Sequence, residues 1–206
     1  IPVFPRRLFS TSQMWVSRDS DMTEPAHLVG KNVALSAFQT TLSLLAKGDL
    51  EFHYKVPWRS INWKLTTKEK IPLEHGPDVS VEFIGDRDRL GDRLQSGEID
   101  AFFLPHPPAN VMSGEISARR LFLDPESEEK RYFDEVGSFP IMHVIAIQES
   151  LASENPDLPA QLMEIFHSAF DIAEGYYADP NWSMLPGVRH QFERDRERFM
   201  GRAWPR

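Results

Sequence analysis

The chain has 206 residues, a formal net charge of −8 and a sequence pI near 5.4. That acidity argues against a broad nucleic-acid or anionic-membrane surface, and no apolar run approaches the ~18 residues that span a bilayer. The absence of cysteine removes a disulfide framework, a thiol nucleophile and a thiolate metal site.

The length suits one large domain or two small lobes, and 16 prolines punctuate it into short elements. Ile1 opens the chain in what reads as the middle of a fold, so the chain reads as the later part of a longer polypeptide. Ile1 to Ser12 form an extended, proline-fixed entry with Arg6 and Arg7 adjacent. Gln13 to Ser17 predict a short strand. Asp19 to Gly30 predict a turn and short helix, with Thr23 as N-cap, Pro25 in the first turn and Gly30 as the stop. Lys31 to Ser36 alternate into a second strand.

Phe38 to His53 predict a helix whose apolar face carries Leu42, Leu45, Leu50 and Phe52, weakened by Gly48. Ser36, Gln39, Thr40 and Thr41 gather at its beginning. They read either as plain N-caps or as a helix-mouth site for an anion. Lys47 reads as a solvated helix charge. Trp58 and Trp63 flank a strand around Ile61 to Leu65, followed by a polar loop to Asp78.

Val79 to Ile84 predict a strand. Asp86 to Ser96 predict a helix with Leu90 and Leu94 inward, ended by Gly97, and Ile99 to Leu104 a buried strand. This strand–helix alternation is the mark of an α/β sheet. Pro105 to Pro108 break it and read as a hinge or lobe boundary. His106 beside them reads either as an exposed loop histidine or as a group facing a cleft.

Ala118 to Leu123 predict a strand and Glu126 to Glu135 a charged helix. In Ser138 to Gln148, Pro140 suits the first residue of a strand and Ile141 to Ile147 read as buried. His143 is the one titratable group in that run, read as a satisfied core histidine or as a general acid. Pro159 to Tyr177 predict an amphipathic helix with a core stripe of Leu162, Ile165, Phe166, Ala169, Phe170 and Ala173. Val188 to Phe199 predict a charged helix, and Gly201 to Arg206 a tail frayed or docked by Trp204.

The common phosphate, dinucleotide, zincin and esterase motifs are absent, and His75, His106 and His143 lack metal-ligand spacing, so no metal site is expected. The segments GKNVALS after a DxxxPAHL lead, SGEIDAFF and the return through PP resemble the type II periplasmic-binding-protein fold. IPVFPRRLFSTS, FQTT followed by KG, RRLFLDPESEEKRYF and GSFPIMH together resemble the 4,5-dihydroxyphthalate decarboxylase family.

That resemblance implies a two-lobed α/β protein whose first lobe begins before Ile1. Residues 1–12 would end the first lobe and cross over, 13–104 form the second lobe, and 105–206 return to the first. By the same resemblance Arg7, Phe9 and Ser12 match the family's opening motif, Gln39 and Thr41 its helix start, and His143 its GxFPIMH histidine. Ser10 and Thr11 stand where the family has an arginine and a histidine, and Lys47 stands for an arginine.

The expected activity is decarboxylation of a hydroxylated aromatic dicarboxylate, in a cleft between the lobes, without a cofactor. Arg7 would clamp a carboxylate, His143 would deliver the proton, and Ser12, Gln39, Thr41 and His106 would line the substrate site. The expected partner is a small anionic aromatic acid, with no nucleic acid, no membrane insertion and self-association into a homo-oligomer left open. The alternative is a non-catalytic binding protein for such an acid, associated with a transporter. The enzyme would be cytoplasmic and the alternative periplasmic.

Overall fold

The computed structural model describes residues 1–179, 181, 184–185 and 187–199. The expected tail from Gly201 to Arg206, Trp204 included, lies outside the described residues. The chain forms two compact units, one of Phe9–Glu129 and one of Ile1–Leu8 with the chain from Lys130 onward. One boundary therefore falls inside a helix, and Pro105 to Pro108 lie within the first of these units.

The Phe9–Glu129 unit is built on a six-stranded sheet: β1 (Met14–Ser17), β2 (Asn32–Leu35), β3 (Asn62–Leu65), β4 (Val81–Phe83), β5 (Ala101–Phe103) and β6 (Ala118–Arg120). Its order is β4-β3-β2-β5-β1-β6. β2, β3, β4 and β5 are parallel, and β1 runs antiparallel to both β5 and β6. The α/β class expected from the alternating pattern is what this unit shows.

The central strands are apolar on both faces, as covered parallel strands must be. Val33 and Leu35 of β2 with Ala101 and Phe103 of β5 enter one core. Ala34 and Phe102 enter the other, against Leu90, Leu94 and Val111. Those last residues come from α2 (Leu90–Ser96) and α3 (Ala109–Met112), and the first core takes Ala46 from α1 (Thr41–Gly48).

Two helix expectations need correction. The helix read over Phe38 to His53 is α1 followed by a five-residue π turn, Asp49–His53. The wider turn lies where buried Asp49 accepts a hydrogen bond from Ser10 Oγ at 2.6 Å. Near Thr23 there is only a 3₁₀ turn, Pro25–Leu28. There the Thr23 amide donates to His27 Nδ1 at 3.1 Å, and no side chain caps the turn.

Helix α4 (Pro125–Val136) leads from one unit to the other. Asp124 caps it, accepting from the Ser127 amide at 3.0 Å. The second unit adds α5 (Glu149–Glu154), α6 (Leu158–Ala178) and α7 (Val188–Arg198). Phe133, Phe139 and Phe199 form a ring cluster there, with centroids 4.7–5.1 Å apart.

The α6 stripe is not a closed core. Leu162, Phe166, Phe170 and Ala173 are half-buried, while Ile165 and Ala169 are exposed. Nor is Ile141 to Ile147 a buried strand. One antiparallel bridge joins Arg7 to Ile141, and the Met142 and Ile145 amides donate to the Arg6 and Val3 carbonyls. The segment is an extended ribbon along residues 1–8, with Ile141 47 % and Val144 59 % exposed. Branched apolar side chains favour an extended backbone, but their sequence does not say whether a second layer covers them. Among the described residues no helix is long and apolar enough to cross a membrane.

Candidate functional site

In an open α/β sheet the loops at the carboxyl ends of the parallel strands are the usual ligand-binding edge. The register fixes which residues end there: Leu35, Leu65, Phe83 and Phe103 stand side by side, and Arg120 ends β6 opposite Trp15. Because β1 is reversed, it begins at this edge, so Ser12 joins it from the segment before β1. Gln39 and Thr41 follow β2, Glu69 follows β3, and His106 follows β5. Four of the residues selected from sequence, Ser12, Gln39, Thr41 and His106, thus belong to one edge of one sheet.

Helix α1 is capped by Thr40, whose Oγ1 accepts from the Ser43 amide at 3.3 Å, while Thr41 is exposed at the first helical position. The amides just ahead of the helix do hold an anion, and it belongs to the chain itself. Phe38 N donates to one Glu69 oxygen and Gln39 N to the other at 3.3 Å. The Gln39 side chain donates to the Ile71 carbonyl at 2.8 Å. Likewise Ser12 Oγ donates to Glu129. The helix mouth read as an anion site is therefore occupied by Glu69, and Ser12, read as lining the substrate site, is engaged by Glu129.

Lys47 is not the solvated charge expected of it. It is 5 % exposed, its Nζ donates to the Phe38 carbonyl at 2.7 Å, and it sits 3.0 Å over the Phe38 ring centre. Burial pushes its pKa down to about 8, against the opposing pull of the Glu69 charge. It borders a pocket of about 430 Å³ whose walls include Phe38, Phe52, Trp58, Glu51 and Arg59. Arg59 lies 4.3 Å over the Trp58 ring centre. Arg59 is also paired with Asp78 at 3.0 Å, so the charges around this pocket are of both signs.

His106 is exposed, and its carbonyl accepts from Arg87 Nη2. Ser10 and Thr11, the departures from the family motif, are buried. Thr11 Oγ1 has no hydrogen-bond partner among the described residues.

In the other unit, Arg7 is half-buried, with its guanidinium 5.3 Å from the Phe4 ring centre, and burial lowers its pKa. His143 lies two positions beyond Arg7's bridge partner in the same ribbon. It is exposed, which removes the satisfied-core reading. Arg7 and His143 are thus brought into one short ribbon. Glu69, Glu129 and Arg120 are not among the residues selected from sequence, and Lys47 reads there as a solvated charge although it stands for a family arginine. Arg120 and Glu129 lie in the RRLFLDPESEEKRYF segment, which carries the resemblance without singling them out.

The sheet unit is thus an α/β module with hydroxyls, amides and cations gathered at the carboxyl edge of its strands. No family model matches the chain. It is similar to 4,5-dihydroxyphthalate decarboxylase of Comamonas testosteroni, 30 % identical over 209 residues, covering 98 % of this chain and 63 % of that protein. It is also similar to 4,5-dihydroxyphthalate decarboxylase of Pseudomonas putida, 27 % identical over 139 residues, 65 % of this chain and 54 % of that protein. The resemblance carried by the four motifs is thereby found across nearly the whole chain. The chain spans less than two thirds of the length of these curated relatives. Among solved structures, the periplasmic aliphatic sulphonate binding protein SsuA from Escherichia coli aligns with 88 % of this chain and 54 % of that one, at a TM-score of 0.45 and 14 % identity.

Proposed function

We propose that the protein decarboxylates a hydroxylated ring dicarboxylate of the 4,5-dihydroxyphthalate kind. The observation that carries this reading is the 30 % identity, over 98 % of the chain, to a relative named for that reaction. A ring hydroxyl para to a carboxylate pushes electron density to the carbon that bears it. A proton added to that carbon then lets the C–C bond break, and carbon dioxide leaves as the ring regains aromaticity.

His143 is assigned the proton delivery and Arg7 the carboxylate, which its planar fork pairs through two oxygens. Of the residues at the carboxyl edge of the sheet unit, Thr41 and His106 are exposed and open to a polar group of such an acid, whereas Ser12 Oγ and the Gln39 side chain already donate within the chain. The exposure of His143 and the half-burial of Arg7 in one ribbon support this division of roles.

The test is carbon dioxide release from 4,5-dihydroxyphthalate, with 3,4-dihydroxybenzoate followed by chromatography. Turnover is expected in the wild type and a loss of about 10²–10⁴-fold in His143→Ala. An unchanged rate in that variant removes the histidine from the reaction. The second reading, binding without chemistry, is favoured by Ser10 and Thr11, which supply no charge and no proton where the family has both. Saturable binding of the acid with no carbon dioxide released would establish that reading instead.

A further inference from the structure

Two adjacent arginines on β6 have opposite fates. Arg119 donates to the carbonyls of Ser20 at 2.7 Å, Met22 at 2.9 Å, Arg120 at 2.8 Å and Leu121 at 3.0 Å, so it ties backbone together. Arg120, on the other face, stacks on Trp15, its register partner, with its guanidinium carbon 3.6 Å from the ring centre. Trp15 in turn stacks on Phe102. Arg120 Nη1 and Trp15 Nε1 are both buried, and neither has a hydrogen-bond partner among the described residues.

Buried donors are costly to leave without an acceptor. Here two such donors belong to neighbouring side chains, the guanidinium carbon of one lying over the indole of the other. They lie at the carboxyl edge of the sheet, where ligands bind in such folds. The charge of Glu129 also acts on Arg120, so a ligand carboxylate there would share the guanidinium with it.

We infer that Arg120 and Trp15 form a binding subsite for the carboxylate of a small aromatic acid, the guanidinium and the indole N–H each donating to it. The inference rests on the carboxyl edge being the ligand edge and stands apart from decarboxylation.

The test is a titration of the whole protein with phthalate, followed by the indole N–H resonances in ¹⁵N–¹H spectra. The chain has five tryptophans, and Trp15→Phe assigns one cross-peak by deleting it. That cross-peak is expected to shift saturably with phthalate. Arg120→Gln is expected to raise the dissociation constant roughly tenfold, the loss of one charge-assisted hydrogen bond. Arg89→Gln, an equal charge change at an exposed site, should leave it unaltered.

If Arg120→Gln does not fold, Arg120→Lys keeps the charge but loses the planar fork, and it too should bind more weakly. An unmoved Trp15 cross-peak at tens of millimolar phthalate, or an affinity indifferent to Arg120, overturns the inference. Absent carbon dioxide release with the indole shift intact sinks the decarboxylase reading and leaves the subsite standing.

Discussion

Lys47 behaves as a different residue from the one its sequence advertises. Folded, it releases its proton at about 8; unfolded, near its ordinary 10.5. Between those values the unfolded chain binds more protons, so this group makes stability rise with pH across that window. Below about 8 its burial penalty is felt in full. The urea midpoint of the wild type should therefore climb relative to Lys47→Met from pH 8 to pH 10.5. Parallel curves would contradict this. Glu69→Gln should move the Lys47 midpoint further down, because the Glu69 charge holds it up. Residue-scale legibility was uneven. The burial of Lys47 depends on Trp58 and Phe38 meeting in three dimensions, which no local pattern announces.

Elements whose signals are local were legible. Gly97 was read as the stop of α2, and its φ of +77° puts it in the left-handed region. Its amide donates to the Leu94 carbonyl at 3.3 Å, and the Glu98 amide to Arg93 at 3.0 Å, closing the last turn. A Cβ at Gly97 would meet nothing within 4 Å. The Gly97→Ala penalty is thus conformational alone, about 1–2 kcal/mol in urea denaturation. No change in midpoint would count against the left-handed cap. Elements that depend on what covers them were less legible. The branched run from Ile141 reads the same whether one layer lies against it or two, and the α6 stripe reads the same half-buried as buried.

At the scale of the whole molecule, the α/β alternation specified the sheet unit because each strand there is flanked by its own turn or helix signal. It did not specify where the units divide, since Glu129 and Lys130 are consecutive residues of one continuous helix. The two units should differ in local stability. The amides of Met142 and Ile145, held only by the ribbon along residues 1–8, should exchange with solvent orders of magnitude faster than those of Val33 and Phe102 in the sheet centre. Equal protection would show the ribbon to be as firmly closed as the sheet.

The reversed strand β1 carries a liability of its own. Met14 and Val16 lie in one core while Trp15 stacks on Phe102 on the other side. A single residue inserted between Gln13 and Trp15 would exchange those sides or slide the strand along both neighbours. Either outcome would unseat the indole from Arg120 and shift Ser12 with it. Length just upstream of this strand is therefore under tighter physical constraint than length in the polar loop beyond β3, where an added residue need change no strand's register.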